Sequence, residues 1–274
     1  MKPVDFIYDG KWLSEFNFMV CEFSQSSGIS EEDAGSEITF VTVPRGYGSK
    51  YGLVHTKHEQ CLETTFDICK NPTIFGDDNI EISATEFREI SRWLNRKEYL
   101  LFYFLPDDWS TDEEFIYHFA SFNLKKLMLD ERLYGIRLEM KTDSPYAYGK
   151  EETYTWSATS DSLSHTVVDS SDEIGHIYPT LTVTVGEDCD LTITNESEGC
   201  NSVIKNCKAG EIITMHGDTN IIETSLSSHD ICDDFNYEFF RVGNTMSRTE
   251  NVITVSNPCD ISITYRPVRK YSQV

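Results

Sequence analysis

The sequence predicts a mainly β protein in two parts: a mixed β domain with one α-helix over residues 1–150, then a β-sandwich over residues 151–274. Three observations carry this reading. At 274 residues the chain is long enough for two separate cores. One capped amphipathic segment stands in the first half, in SATEFREISRWLNRK, and the rest of that half alternates. Beyond residue 156 the texture changes to short alternating runs separated by Gly, Asn, Asp and Pro.

The first segment, FIYDGKWLSEFNFMVCEF, sets Asp9-Gly10 between aromatic flanks and predicts two strands, because a tight hairpin needs residues that tolerate positive φ. SQSSGISEEDAGSE is small, polar and acidic, with no period that could bury a face, and predicts a mobile loop over about residues 24–36. EITFVTVP then resumes a strand. RGYGSKYG, at 45–52, matches neither G-x-G-x-x-G nor G-x-x-x-x-G-K-[ST], so its glycines mark a turn rather than a phosphate cradle. LVHTKHEQCLETTFDIC reads as extended.

Ser83 and Glu86 have the spacing of a capping box, and Phe87, Ile90, Trp93 and Leu94 recur every three to four residues. A helix over about 84–97 follows, with Trp93 as a core anchor. EYLLFYFL, FIYHFASFNL and YGIRLEMKT predict three more strands. DSPYAYGKEETYTW, residues 143–156, is the hand-over, and its four aromatics are expected to pack at the joint. After it, IYPTLTVTV, CDLTITN, GEIITMH, TNIIETS, YEFFRV, NVITVS and CDISITYRP predict an antiparallel sandwich poor in helix.

Composition excludes several function classes. No run approaches the ~18 apolar residues of a membrane span, and the beginning MKPVDFIYDGKW meets charge before any leader core forms, so no cleaved leader is expected. Residues 1–150 hold 16 Lys and Arg against 26 Asp and Glu, net −10, and residues 151–274 hold 7 against 20, net −13. A field of −23 repels phosphate backbones and anionic lipid, which argues against nucleic-acid binding and against membrane docking. Eight cysteines in a chain this long and without a leader read as reduced thiols.

His55, His58 and Cys61 could converge on a helix but fall on different faces of a strand, so no metal site is assigned. Cys189, Cys200, Cys207, Cys232 and Cys259 show no C-x-x-C and read as small buried hydrophobes. Asp230, Asp233 and Asp234 lack the Asp-x-Asp-x-Asp-Gly alternation of a calcium loop and read as solvated. With 46 acids, chance carboxylate pairs are unavoidable and carry no catalytic signal. Neither a G-x-S-x-G elbow nor a recognisable Cys-His arrangement occurs, so no catalytic residue and no cofactor is assigned, and the protein is not expected to be an enzyme.

The order of features is more informative than any one of them: an aromatic N-terminal hairpin, an acidic loop, a lone helix ending in SRWLNRK, strands closing in TDSPYAYG, then IYPTLTVTV, DLTITN, AGEIIT, FRVGNTM, NVITVS and ISITYRPVRKY. This arrangement resembles the distal tail proteins of long-tailed phages of Gram-positive bacteria (the siphophage tail component family), over nearly the whole chain. The resemblance implies a split-barrel, tail-tube-like N-terminal domain and a galectin-like or carbohydrate-module-like C-terminal sandwich. It implies a ring, commonly of six copies, at the virion tail tip, made and assembled in the bacterial cytoplasm. The ring joins the major tail tube protein to a tail-associated lysin, with a receptor-binding protein or a host glycan on the outer module. DNA passes through the lumen without specific binding, and acidic walls suit that passage. The matching positions Trp93, Leu94, Ser144, Pro145, Tyr146 and Ala147 are structural, and no catalytic residue carries over. Two alternatives stay open at this point: a carbohydrate-binding module for cell-surface glycans, with Trp109 and Trp156 as stacking platforms, and a glycosidase.

Overall fold

The computed structural model describes residues 3–23, 38–46, 50–58, 60–76, 79–106, 115–245 and 247–270. The expected 24–36 loop, residues 47–49 of the glycine-rich turn and Trp109 lie outside the described residues. The chain divides into two compact units, one of Met1–Gly149 with Arg269–Val274 and one of Lys150–Val268.

The first unit begins with β1 (Pro3–Tyr8) and β2 (Lys11–Trp12), joined by Asp9 and Gly10 at φ 52° and 70°. Both turn residues are left-handed, the arrangement whose twist matches the strands, with glycine strain-free at the second position. The second flank is not one continuous strand. A 3-10 turn at Leu13–Phe16 follows β2, and Asn17 at φ 63° resets the chain before β3 (Phe18–Cys21). Next come β4 (Ile38–Arg45), β5 (Lys50–His58), β6 (Glu63–Lys70), the one-turn α1 (Pro72–Phe75) and α2 (Ala84–Leu94). The unit is completed by β7 (Leu100–Pro106), β8 (His118–Leu129), β9 (Arg132–Thr142) and β10 (Ala147–Tyr148).

Among the described residues, seven strands form one antiparallel sheet in the order β2-β1-β7-β8-β9-β6-β3. The sheet curls until β1 meets β3, as in a split barrel. Alternation decides its two faces: Ile68 on β6, Ala120 and Phe122 on β8, and Ile136, Leu138 and Met140 on β9 point inward and are buried. The outer face carries charge pairs, among them Arg137 to Asp67 (2.8 and 3.0 Å) and Lys141 to Glu63 (2.7 Å).

Helix α2 closes the interior. The Ser83 hydroxyl accepts from the Glu86 amide (3.3 Å) while the Glu86 carboxylate accepts from the Ser83 amide (2.7 Å), a capping box. Trp93 stacks on Phe16 (4.5 Å) and Phe6 (5.7 Å), and its Nε1 donates to the Tyr8 carbonyl (3.0 Å). It is the expected core anchor. The helix ends at Leu94, three residues short of the expected end, because Arg96 folds back to donate from Nε to the Trp93 carbonyl (3.1 Å). Lys70, buried at the end of β6, holds the helix start: its Nζ meets the Glu86 carboxylate (2.7 Å) and the Glu81 carbonyl (2.9 Å). Burial alone would raise the Glu86 carboxyl, but hydrogen bonds from Lys70 and Ser83, with the Lys70 charge, hold it below its ordinary value. Ser83→Ala should lower the stability of this unit by about 1 kcal/mol, read by urea melts. An unchanged midpoint would mean that the Lys70 bridge alone sets the helix start.

The second unit holds β11 (Glu152–Ala158), β12 (Ser164–Val168), β13 (Gly175–Ile177), β14 (Thr180–Val185), β15 (Cys189–Asn195), β16 (Cys200–Cys207), β17 (Ile212–His216) and β18 (Ile221–Thr224). After α3 (Ile231–Asp234) come β19 (Val242–Asn244), β20 (Glu250–Val255) and β21 (Cys259–Tyr265), and β22 (Val268–Arg269) holds the last residue of this unit and the first of the C-terminal residues that belong to the first unit. Two antiparallel sheets, β11-β21-β14-β17-β18 and β12-β20-β15-β16, enclose a core of Leu181, Val183, Leu191, Ile193, Ile204, Ile253, Ile261 and Ile263. Strands β11, β12 and β16 are additional to the expected runs; Asn, Ser and Lys interrupt the apolar pattern of β16, and polar residues alternate through β11.

YEFFRV is the opposite case: it was expected as a strand, yet only Val242 belongs to one. Tyr237 sits at φ 58°, and the Asn236 side chain accepts from the Val203 amide (3.0 Å), pinning the segment beside β16 as a loop. The four aromatics of the hand-over stretch find partners within the units that carry them. Tyr146 bonds His58 and Tyr148 meets Phe119 (5.8 Å), whereas Tyr154 stacks on Tyr265 (6.3 Å) and Trp156 on His165 (4.5 Å).

Candidate functional site

Among the described residues, strands β4 and β5 pair only with each other, from Ile38 opposite His58 to Arg45 opposite Lys50, with a bulge between Val41 and Thr42. β-branched and aromatic residues favour this hairpin locally, but an isolated two-stranded ribbon is marginal in water. Its apolar side chains remain largely uncovered: Phe40 is 65 % exposed, Tyr51 71 %, Leu53 53 % and Val54 56 %, with Ile38 and Val43 also exposed. Exposed apolar residues on a ribbon of two strands leave the hairpin without a core of its own.

The base of the hairpin is tied to the unit that carries it. His58 Nε2 shares a hydrogen bond with the Tyr146 hydroxyl (3.0 Å), and their rings meet edge to face at 5.0 Å. The Leu62 amide donates to the Ser144 carbonyl (3.3 Å), and the Thr142 hydroxyl donates to the carbonyls of Leu62 (3.1 Å) and Ser144 (2.6 Å). Ser144 and Tyr146, structural positions in the sequence reading, thus anchor the departure of the hairpin.

The structure separates the other candidate groups. His55 lies opposite Val41 on the exposed hairpin, His58 is engaged by Tyr146, and Cys61 is exposed ahead of β6. Among the described residues, no three metal-ligating side chains converge. Cys200, Cys207 and Cys259 are buried as expected, and burial pushes the thiols of Cys207 and Cys259 up to about 12. Cys232 departs from that expectation and is exposed on α3. Asp230, Asp233 and Asp234 do not form one ring of ligands, since Asp234 accepts from Asn206 Nδ2 (2.9 Å) and faces His229 Nε2 (3.3 Å). Trp156 has His165 against its face.

Two polar clusters in the second unit escaped sequence reasoning. Glu211 is fully buried and accepts from His229 Nδ1 (2.6 Å), from the Thr224 hydroxyl and from the Lys208 amide (2.8 Å). Glu198 bridges His176 (2.9 Å) and Arg248. Spacing could not have found either, because each joins residues from separate strands and loops. Glu211 and His229 have almost no solvent contact, so a substrate could not reach them; they tie loops together.

The described residues thus form two β units, the first of which carries a hairpin with exposed apolar side chains. The sequence agrees with a family described as phage tail protein N-terminal domain over residues 1–144 and with phage tail C-terminal domain over residues 146–265, and the chain belongs to this family of phage tail proteins. Among solved structures it is similar to the Dit protein (gp 19.1) of phage SPP1, which is described as a paradigm of the hub adsorption apparatus in phages infecting Gram-positive bacteria. The likeness covers 97 % of this chain and 99 % of that one, with a TM-score of 0.63 and 15 % identity, and at that identity it is a likeness of fold. A search of the curated proteins gives no match.

Proposed function

We propose that the protein is a structural hub of a phage or prophage tail tip, forming a ring, six copies in number, that joins the tail tube to the host-recognition or tail-lysin apparatus. The observation that carries this reading is the β4–β5 hairpin, with Phe40, Tyr51, Leu53 and Val54 uncovered on a ribbon too small to be stable alone. Its occupant in this reading is a second copy of the chain. A hairpin that docks on a different patch of its neighbour makes a head-to-tail contact, and such contacts close into rings when the rotation permits. The family assignment and the fold likeness to SPP1 Dit support placing that ring in a phage tail.

The first unit builds the ring against the major tail tube protein, and the second is carried outward toward a tail-associated lysin and a receptor-binding protein or host glycan. The reading contains no catalytic step. The formal charge of −23 suits a lumen through which DNA slides without sticking.

The test is light scattering on the full-length chain over a wide concentration range, alone and with the tail tube protein, beside a Phe40→Asp/Leu53→Asp variant. The wild type should form a closed oligomer in at least one condition. The variant should stay monomeric with an unchanged thermal melt, because both side chains are exposed. A wild type that stays monomeric throughout, or a variant that assembles like it, would overturn the reading.

A further inference from the structure

Cys21 and Cys69 lie on neighbouring strands and on the same face. In the β3–β6 pair Met19 stands opposite Cys69 and Cys21 opposite Asp67, so the two cysteines are diagonal neighbours. Ile68, between them in register, points into the core, which puts both thiols on the outer surface of the curled sheet. Both are partly exposed, and they share a hydrogen bond. On the other side of Cys69 stands Gly135, whose missing side chain leaves room for the Phe23 ring: a Cβ there would come within 2.3 Å of it.

The remaining thiols differ. Cys207 donates to the Ile204 carbonyl (3.4 Å) and Cys200 to the Phe239 carbonyl (3.5 Å), and burial raises both. Cys189 stands opposite Cys207 in register, but burial and the charges of Glu187, Asp190 and Asp188 raise its thiol.

We propose that Cys21 and Cys69 are an oxidation site, forming a disulfide that staples β3 to β6 under the oxidising conditions a released virion meets. The bond closes a loop over residues 22–68, the segment that contains the β4–β5 hairpin, so it locks the base from which the hairpin leaves. Diagonal neighbours start roughly 7–8 Å apart at Cα, wider than the ~4.4–6.8 Å of a disulfide. Cys21 is the last residue of an edge strand, so one strand end alone has to move.

The chemistry assigns the two sulfurs different roles. The Cys21 thiol donates to the Cys69 sulfur, which lowers the Cys69 thiol and raises that of Cys21, the latter also through burial and the Asp67 charge. Cys69 therefore ionises first and attacks one sulfur of a low-molecular-weight disulfide such as oxidised glutathione, expelling one thiolate. Cys21 then loses its proton and attacks the Cys69 sulfur of the mixed disulfide, expelling the second. Two protein thiols and one small disulfide become one protein disulfide and two small thiols, so the electrons balance.

The experiment treats the full-length protein with oxidised glutathione, alkylates it, counts remaining thiols after denaturation and maps peptides without reduction. The eight thiols should fall by two, with Cys21–Cys69 as the dominant linked peptide. The thermal midpoint should rise by about 5 °C or more on loop closure. In Cys21→Ser, Cys69 should stop at the glutathione adduct with no internal link. Survival of all eight thiols, a dominant link through any other pair, or a Cys69 cross-link persisting in Cys21→Ser would overturn the proposal. The peptide map reads the bond itself, so its outcome is separate from that of the assembly test.

Discussion

Replacing Glu211 with Ala should destabilise the second unit by about 3–5 kcal/mol, the scale for removing one partner of a buried charged cluster. Glu211 has no solvent exposure, and its two oxygens accept from three places in the chain at one point. Oε2 takes the Lys208 amide (2.8 Å) of the turn before β17, while Oε1 takes the Thr224 hydroxyl at the end of β18 and His229 Nδ1 (2.6 Å) from the following loop. Through His229 the cluster continues to Asp234 on α3 (3.3 Å). Without the carboxylate, an amide, a hydroxyl and a buried imidazole lose their acceptor together, each at the cost of an unmade hydrogen bond. Glu211→Gln keeps one acceptor oxygen and should lose roughly half as much.

The same group gives a pH signature. Burial alone would raise the Glu211 carboxyl, but hydrogen bonds from Thr224, His229 and Lys208 hold it below its ordinary value. A depressed carboxylate contributes stability that is present above its unfolded value and lost as pH falls through the folded one. The second unit should therefore lose stability below the ordinary carboxylate range, with a shallower acid slope in Glu211→Gln. Urea melts at neutral pH and at stepwise lower pH check both statements. A Glu211→Ala midpoint equal to wild type would show that the loops hold without the cluster.

His118→Leu should remove a loss of stability that the first unit otherwise shows between neutral pH and pH 4. His118 is 1 % exposed on the inward face of β8, opposite Phe102 on β7 (rings 6.4 Å apart), and among the described residues neither ring nitrogen meets a hydrogen-bond partner. Burial lowers its folded value from the model-peptide 6.5 to about 4. As pH falls below 6.5 the unfolded chain takes up a proton that the folded ring refuses. Stability is therefore present above that value and lost on the way to about 4. Over the window the loss amounts to about 3 kcal/mol. Leucine has no proton to take, so the variant should show a flat profile there and higher stability at pH 5. A wild-type slope retained in His118→Leu would assign the acid sensitivity to other groups. Since the two windows differ, the first unit should weaken before the second as pH falls.

Strand and helix positions were legible where the cause is local. Asp9-Gly10 dictates a tight hairpin because few other residues accept two left-handed conformations in a row, and the structure has it. Ser83, Glu86 and the Phe87–Leu94 periodicity dictate α2 because cap and apolar stripe lie within one short segment. Alternation marked the main strands of both units, and the order of these features pointed to the phage tail family.

Alternation states that a strand has two faces, and nothing about what covers them. ITFVTVP on β4 and TLTVTV on β14 have the same local pattern, yet Phe40 stands in solvent while Leu181 and Val183 are fully enclosed. That difference is set by pairing: among the described residues β14 lies between β21 and β17, whereas β4 has β5 alone. The partner of each strand follows from how the whole sheet curls, so β1 adds to β7 and β6 fits between β9 and β3 across long stretches of chain. The juxtaposition of Cys21 with Cys69, the Glu211 cluster and the solitary burial of His118 arise the same way. Sequence spacing carries local hydrogen bonds and turn strain, while contacts between distant residues exist only once the backbone has closed around them.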